Sequence, residues 1–258
     1  MIPNKAKPDS FIDLKTSSRI CALTAYDYPT ARILDESSID IILVGDSLGM
    51  MVFGHTDTTK VTMEMMINHT IACSNGVKQS LLITDMPYRS YESSESALTN
   101  AKLLLEAGAH GVKLEGGSNV IPQIKTLIQN NIPVIGHLGF LPQSIKEEKY
   151  YKKKGKKESE KMEIKRDAKL LQDVGVSAII LESVESDLAK NVTKSLKIPT
   201  IGIGAGDFCN GEIRVINDII GSYPWFIPPF AKPYCSIAQD IRDAVSAFRS
   251  STLDETNL

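Results

Sequence analysis

The stretch I-D-I-I-L-V-G-D-S-L-G-M-M, Ile39 to Met51, decides how the rest of the chain is read. Its centre, Ile41 to Val44, is an unbroken apolar run rich in β-branched side chains. It is too short to span a bilayer and is of the kind found in strands buried on both faces. The run stops at Gly45-Asp46-Ser47. Side chains alternate along a strand, so extending the pleat puts Ile42, Val44 and Asp46 on one face and sets a carboxylate at the strand's carboxyl end. Parallel α/β folds keep their chemistry at that end.

Outward from this segment, similar apolar runs recur, separated by longer amphipathic stretches. The pattern predicts strands over 20–26, 39–46, 81–85, 111–115, 133–137, 178–182 and 200–203, with a weaker eighth over 213–216. Helical spacing is read over 28–37 and 95–107, the latter stopped by Gly108. Ile237, Ile241, Val245 and Phe248 mark an amphipathic C-terminal helix. Strands alternating with helices define βα units with right-handed crossovers around a parallel sheet. Eight such units in 258 residues favour a single closed (β/α)8 barrel over residues 1–258. An open doubly wound sheet is the alternative.

A polar leader over about 1–18 precedes the first strand, and Lys and Glu dominate 146–169. Interleaved glutamates favour a solvated βα loop running into a helix over a nucleic-acid patch, because they cancel the field of Lys152 to Lys157. With 42% apolar residues, 23% charged residues and a net charge of -2, the composition is that of an ordinary soluble globular chain. No apolar run approaches a membrane span and no signal-peptide core is present, so the expected location is cytoplasmic. Cys21, Cys73, Cys209 and Cys235 show no metal or redox spacing and are expected to be reduced and mostly buried.

Asp46, Asp85, Glu115 and Glu182 all fall at predicted strand ends, and Lys113 shares a face with Glu115. Taken singly, each carboxylate reads as a turn former or helix cap. Four at the same place in the repeat point elsewhere. Strand ends converge at a barrel mouth, where gathered carboxylates repel one another unless a positive charge sits among them, and oxygen ligands select a hard cation such as Mg2+. A neighbouring lysine can neutralise a developing oxyanion. His137 ends the fifth strand, where it serves either as a hydrogen-bonded structural residue or in catalysis or substrate contact. His55, His69 and His110 lack partners at helical spacing, which argues against a histidine metal site. Gly202 to Gly206 is not a dinucleotide fingerprint, since Asp207 stands where its last glycine belongs.

These residues sit in motifs that resemble the 3-methyl-2-oxobutanoate hydroxymethyltransferase (ketopantoate hydroxymethyltransferase) family. The motifs are T-A-Y-D-Y-P-T-A (Thr24 to Ala31), V-G-D-S-L-G-M (Val44 to Met50), D-M-P-Y (Asp85 to Tyr88), V-K-L-E-G-G (Val112 to Gly117), G-H-L-G (Gly136 to Gly139) and I-P-T-I-G-I-G-A-G (Ile198 to Gly206). The resemblance implies a barrel of the phosphoenolpyruvate/pyruvate superfamily type. It also implies transfer of a one-carbon unit from 5,10-methylenetetrahydrofolate to 3-methyl-2-oxobutanoate, giving 2-dehydropantoate in pantothenate biosynthesis. By motif, Asp46 and Asp85 would bind Mg2+ with Glu115 completing its shell. Asp46, Ser47, Asp85 and Lys113 would hold the keto acid, and Glu182 would be the catalytic base; His137 joins the substrate-contact candidates on its position alone. A homodecamer is implied as well.

The chain departs from the family pattern at Glu148-Lys149-Tyr150-Tyr151, at Arg89, which either meets the folate's glutamate tail or, as the favoured reading, faces water, and at Glu182-Ser183-Val184-Glu185. A lyase or mutase of the same superfamily acting on another 2-oxo acid is the rival enzyme reading. A barrel kept as a non-catalytic subunit is the rival of another class.

Overall fold

Eight strands close into a parallel barrel in sequence order in a computed structural model, which describes residues 19–144 and 152–254. The leader over 1–18 and the Glu148 to Tyr151 piece lie outside the described residues. The strands are β1 (Ile20–Thr24), β2 (Ile41–Val44), β3 (Leu81–Asp85), β4 (Gly111–Glu115), β5 (Val134–Gly139), β6 (Ala178–Glu182), β7 (Thr200–Ile203) and β8 (Gly211–Arg214). The open sheet is thereby excluded.

Between them run α1 (Tyr28–Glu36), the short α2 (Leu48–Met51), α3 (Met63–Ser74), α4 (Ser94–Glu106), α5 (Ile121–Gln129), α6 (Glu158–Val174) and α7 (Ser186–Ser195). Local chemistry sets their ends. Asp27 caps α1 by accepting from Thr30 N at 2.8 Å, with Pro29 in the first turn, so the conspicuous Y-D-Y-P motif is a helix start. Ser93 and Ser96 form a reciprocal capping box on α4. The lysine-rich run enters α6, as the charge pattern predicts, and Gly175 closes that helix in a left-handed conformation.

The chain divides into two compact units, Met1–Ile213 and Arg214–Leu258. In the first, Ile20, Ala22, Ile41, Leu43, Ile83, Ile135, Ala178, Ile180 and Ile201 belong to one buried cluster filling the barrel. These residues alternate along each strand, as a layered barrel interior requires. The second unit carries α8 (Ile216–Ile220) and α9 (Ile237–Asp254). The predicted C-terminal helix is present, with Ile241, Val245 and Phe248 exposed.

Three readings from the pattern are corrected. The eighth strand is 211–214, two residues earlier than 213–216, because Gly211 reads as a strand breaker yet sits where a Cβ would meet Ile20 O at 2.6 Å. There the barrel closes, with Ile20 N donating to Asn210 O at 2.9 Å. The second strand ends at Val44, and its barrel-facing residues are Ile41 and Leu43, so Asp46 does not lie on a continued pleat with Ile42 and Val44. A turn, not strand parity, delivers it. Finally, all four cysteines are free, but only Cys73 and Cys209 are buried; Cys21 and Cys235 are exposed.

Candidate active site

Asp85 ends β3, Lys113 and Glu115 lie on β4, His137 on β5 and Glu182 at the end of β6. On β3, β5 and β6 they share parity with Ile83, Ile135 and Ile180, so the apolar filling of the barrel gives way to ionisable groups at its carboxyl rim. The strand register sets Lys113 beside Asp85, and Glu115 beside His137. All of them, and Asp46, are buried.

Asp46 N donates to Asp85 Oδ2 at 3.0 Å, joining the turn after β2 to the end of β3. Lys113 Nζ is 3.1 Å from Asp85 Oδ1 and 3.3 Å from His137 Nδ1. His137 spans two carboxylates, Nδ1 lying 3.5 Å from Glu115 Oε1 and Nε2 3.2 Å from Glu182 Oε2. Ser47, half-buried, exchanges a hydrogen bond with the Tyr26 hydroxyl at 2.8 Å. Every candidate named from the sequence except Ser47 thus enters one connected network.

Gly139 makes part of this geometry. Its φ of 101° lies in a region closed to most side chains, and a Cβ there would meet Glu182 O at 2.2 Å. The final glycine of G-H-L-G therefore lets β5 run against the backbone of Glu182, where Phe140 N donates to Glu182 O at 2.8 Å.

Burial dominates the electrostatics. It pushes the Asp85 carboxyl up to about 6, against the opposing pull of Lys113. Asp46 is raised by burial too, with Lys113 and the Gln143 hydrogen bond opposing and Glu115 adding to the rise. Burial alone would lower Lys113, but Asp85, Glu115 and Asp46 together raise it. For His137, Glu115 and Glu182 outweigh burial and Lys113 and push it up to about 9. Four buried carboxylates thus face two cationic groups. With all four ionised they would exceed Lys113 and His137 by two negative charges, which one divalent cation would balance.

The chemistry of the donors fits such an ion. Asp85 Oδ1 and Glu115 Oε1 are buried without a hydrogen bond among the described residues; their nearest cationic neighbours are Lys113 Nζ at 3.1 Å and His137 Nδ1 at 3.5 Å, respectively. Among those residues no group of three or more His, Cys, Asp or Glu side chains is by itself arranged to hold a metal ion. A hard cation such as Mg2+ would need only one or two of these carboxylates, with water and substrate oxygens filling its remaining positions.

Two further members of the network were not signalled by periodicity or charge. Gln143, in the 3-10 turn Pro142–Ser144 after β5, is buried and donates through Nε2 to Asp46 Oδ2 at 2.8 Å. The Tyr91 hydroxyl donates to Gln143 Oε1 at 2.6 Å. A neutral amide in a loop leaves no pattern in sequence; its place just beyond a strand end was the only available cue.

The remaining histidines serve the scaffold. Leu82 N donates to His110 Nδ1 at 3.0 Å, His69 Nδ1 meets Tyr26 O at 2.5 Å, and His55 stacks on Phe53. Arg89 is exposed, beside Glu92 at 3.7 Å, in keeping with its reading as a solvent-facing residue. Ser183, within one of the departures from the family pattern, takes a φ of 48°. Its carbonyl accepts from Lys154 N at 2.7 Å, so the chain leading into α6 pairs beside the end of β6.

Among solved structures the fold is similar to that of 2,3-dimethylmalate lyase, described as a PEP mutase/isocitrate lyase superfamily member. The TM-score is 0.60 at 17% identity, covering 96% of this chain and 89% of that one. Phosphonopyruvate hydrolase in complex with oxalate and Mg++ gives a TM-score of 0.63 at 15% identity, covering 95% and 85%. Identities this low establish the fold class alone: an α/β barrel of eight parallel strands.

Sequence narrows the class. Residues 5–256 match the profile of the family described as ketopantoate hydroxymethyltransferase. The 3-methyl-2-oxobutanoate hydroxymethyltransferase of Thermoanaerobacter sp. (strain X514) is 48% identical over 236 residues, 91% of this chain and 86% of that protein. The chain belongs to the ketopantoate hydroxymethyltransferase family, and so to the transferases of pantothenate biosynthesis.

Proposed function

We propose that the buried mouth carries out hydroxymethyl transfer from 5,10-methylenetetrahydrofolate to 3-methyl-2-oxobutanoate, with Glu182 as base. The observation that carries this reading is the chain of contacts Asp85, Lys113, His137, Glu182, in which a carboxylate at one end stands apart from the carboxylates that surround the lysine. Asp46 and Asp85 would hold Mg2+, with Glu115 completing its surroundings. When bound there, the ion supplies a Lewis acid toward the 2-oxo group and electrostatic anchorage for the keto acid's carboxylate.

Glu182 removes the C3 proton of the keto acid. His137, whose Nε2 lies 3.2 Å from Glu182 Oε2, restrains the Glu182 carboxylate at one edge of the site. Lys113, kept charged by three carboxylates, lies among the groups that hold the substrate and offsets the negative charge growing on its 2-oxo oxygen as the enolate forms. Water cleaves the methylene C–N bonds of the folate, giving tetrahydrofolate and a one-carbon unit at the formaldehyde level; C3 attacks that carbon, and the proton held by Glu182 passes to the new alkoxide, giving 2-dehydropantoate. Ser47, anchored by Tyr26, adds a hydroxyl beside Asp46 for the keto acid. The burial of these groups excludes bulk water while the enolate exists.

The same reading takes the chain as a cytoplasmic homo-oligomer, a decamer by family likeness. No described helix is long and apolar enough to cross a membrane, and the exposed apolar residues Ile241, Val245 and Phe248 of α9 suit burial between copies. The test is exchange of the C3 hydrogen of 3-methyl-2-oxobutanoate into deuterated water, with Mg2+ present and folate absent. Wild type exchanges and Glu182→Gln does not; undiminished exchange in the variant would remove Glu182 from the role of base.

A further inference from the structure

Gln143 makes four hydrogen bonds, and together they touch three of the segments that bring the carboxylates to the mouth. Its backbone N–H donates to Glu115 Oε2 at 3.0 Å. Its side-chain nitrogen donates to Asp46 Oδ2 at 2.8 Å and to Met86 O, next to Asp85, at 3.0 Å. Its side-chain oxygen accepts from Tyr91 at 2.6 Å. The orientation of the amide is fixed by chemistry: Met86 O can only accept, so the nitrogen must lie on that side, and the oxygen is left for the Tyr91 hydroxyl. Every donor and acceptor of this buried side chain is satisfied, which is the condition under which a polar network rigidifies its surroundings.

A common arrangement follows for the three carboxylates assigned to the cation. Each has one oxygen fixed by a neutral N–H: Asp46 Oδ2 by the Gln143 amide, Glu115 Oε2 by the Gln143 backbone, and Asp85 Oδ2 by the Asp46 backbone. In Asp85 and Glu115 the other oxygen is the one without a hydrogen bond. A neutral donor suits the task, since a cationic one at this position would oppose a divalent ion through the same carboxylates. The charge that pairs Asp85 comes from Lys113, whose Nζ lies 3.1 Å from Asp85 Oδ1.

Resting on the Mg2+ assignment above, we infer that Gln143, locked by Tyr91, is a positioning residue for the metal carboxylates: it decides which oxygens of Asp46 and Glu115 remain open to the ion. Residues that orient metal ligands typically change affinity by roughly 10- to 100-fold when removed.

The test is direct binding of Mn2+, as a spectroscopic substitute for Mg2+, to the metal-stripped full chain, followed by electron paramagnetic resonance of the free ion, with thermal unfolding recorded in parallel. Gln143→Met is expected to weaken Mn2+ binding by about 10- to 100-fold. Tyr91→Phe, a milder change that leaves the amide in place but unlocked, should weaken it by a smaller factor and serves if Gln143→Met fails to fold. In both, raising Mg2+ should restore most of kcat, so that the loss appears as a higher metal requirement. Gln123→Met is the control: Gln123 donates to Tyr91 O at 3.2 Å without touching a carboxylate, and its loss should leave Mn2+ affinity unchanged. Folded Gln143→Met or Tyr91→Phe protein with wild-type Mn2+ affinity would overturn the inference while leaving the metal assignment intact. A wild type that takes up no Mn2+ would remove both.

Discussion

Replacing Gly139 with alanine separates backbone strain from steric conflict at the catalytic strand. At φ 101° any L side chain is strained, by about 1–2 kcal/mol. The new Cβ would also lie 2.2 Å from Glu182 O and 2.7 Å from Val184 Cγ2, and relieving contacts of that kind in a packed interior costs roughly 1–3 kcal/mol. The total is about 2–5 kcal/mol. Gly175→Ala supplies the comparison. Its φ of 106° imposes similar strain, but its Cβ meets only Ile128 Cγ2, at 3.4 Å, so about 1–2 kcal/mol is expected.

Equilibrium urea unfolding of the two variants measures the difference directly. The backbone of Glu182 must also retreat from residue 139, disturbing the bond from Phe140 N and drawing the carboxylate away from His137. Misplacement of a reacting group by about 1 Å can lower rates on the order of 100-fold. C3 exchange should therefore collapse in Gly139→Ala and persist in Gly175→Ala. If both variants lose the same stability and both retain exchange, the close approach of β5 to Glu182 does not matter and the account given for that glycine is wrong.

Other expectations concern charge. Lys113→Met leaves Asp85 and Glu115 without their shared buried cation, and breaking such a pair costs about 3–5 kcal/mol near neutral pH. Asp85 already titrates near 6, above its ordinary 3.8, and would rise further without the lysine. A raised carboxyl favours the folded state as it protonates, so the penalty should be largest at pH 8 and shrink below pH 6; a penalty independent of pH would contradict the role given to Lys113. Asp35, at the end of α1, accepts from Gln79 N at 2.9 Å and Ser80 N at 2.8 Å, and Asp35→Ala should cost about 3 kcal/mol for two bonds to a charged acceptor. Burial opposes ionisation of Asp35 but those amides overcome it and hold its carboxyl below 3.8. Its contribution is therefore present above pH 3.8 and lost as pH falls through the lower folded value, and the gap between wild type and variant in urea should close there.

Most of the barrel was legible because a parallel strand covered on both sides must be apolar throughout, and Ile41 to Val44 or Ala178 to Leu181 can be little else. Legibility failed where backbone geometry overrode side-chain pattern. Gly211 opens β8 because β1 leaves no room for a Cβ, which a rule treating glycine as a breaker reads backwards. Asp46 reaches the mouth through a turn, so its location was correctly anticipated on the wrong argument. Asp85, Lys113, Glu115, His137 and Glu182 were visible as ionisable side chains at the ends of apolar runs, an arrangement costly to bury without purpose. Gln143 had no such signature: its importance comes from four partners far from it in sequence, and only the folded chain assembles them.

The ionisable rim is lopsided. Its buried charges come from four adjacent staves, β3 to β6, and from the turn after β2, whereas β7 ends in Ile203, β1 in Thr24 and β8 in the half-buried Arg214. On the proposed reading, proton handling and ion binding gather in one half of the opening, and the half at β7 and β1 stands apart from them. Tailoring the enzyme toward a bulkier or differently tailed one-carbon donor would begin on that quieter side.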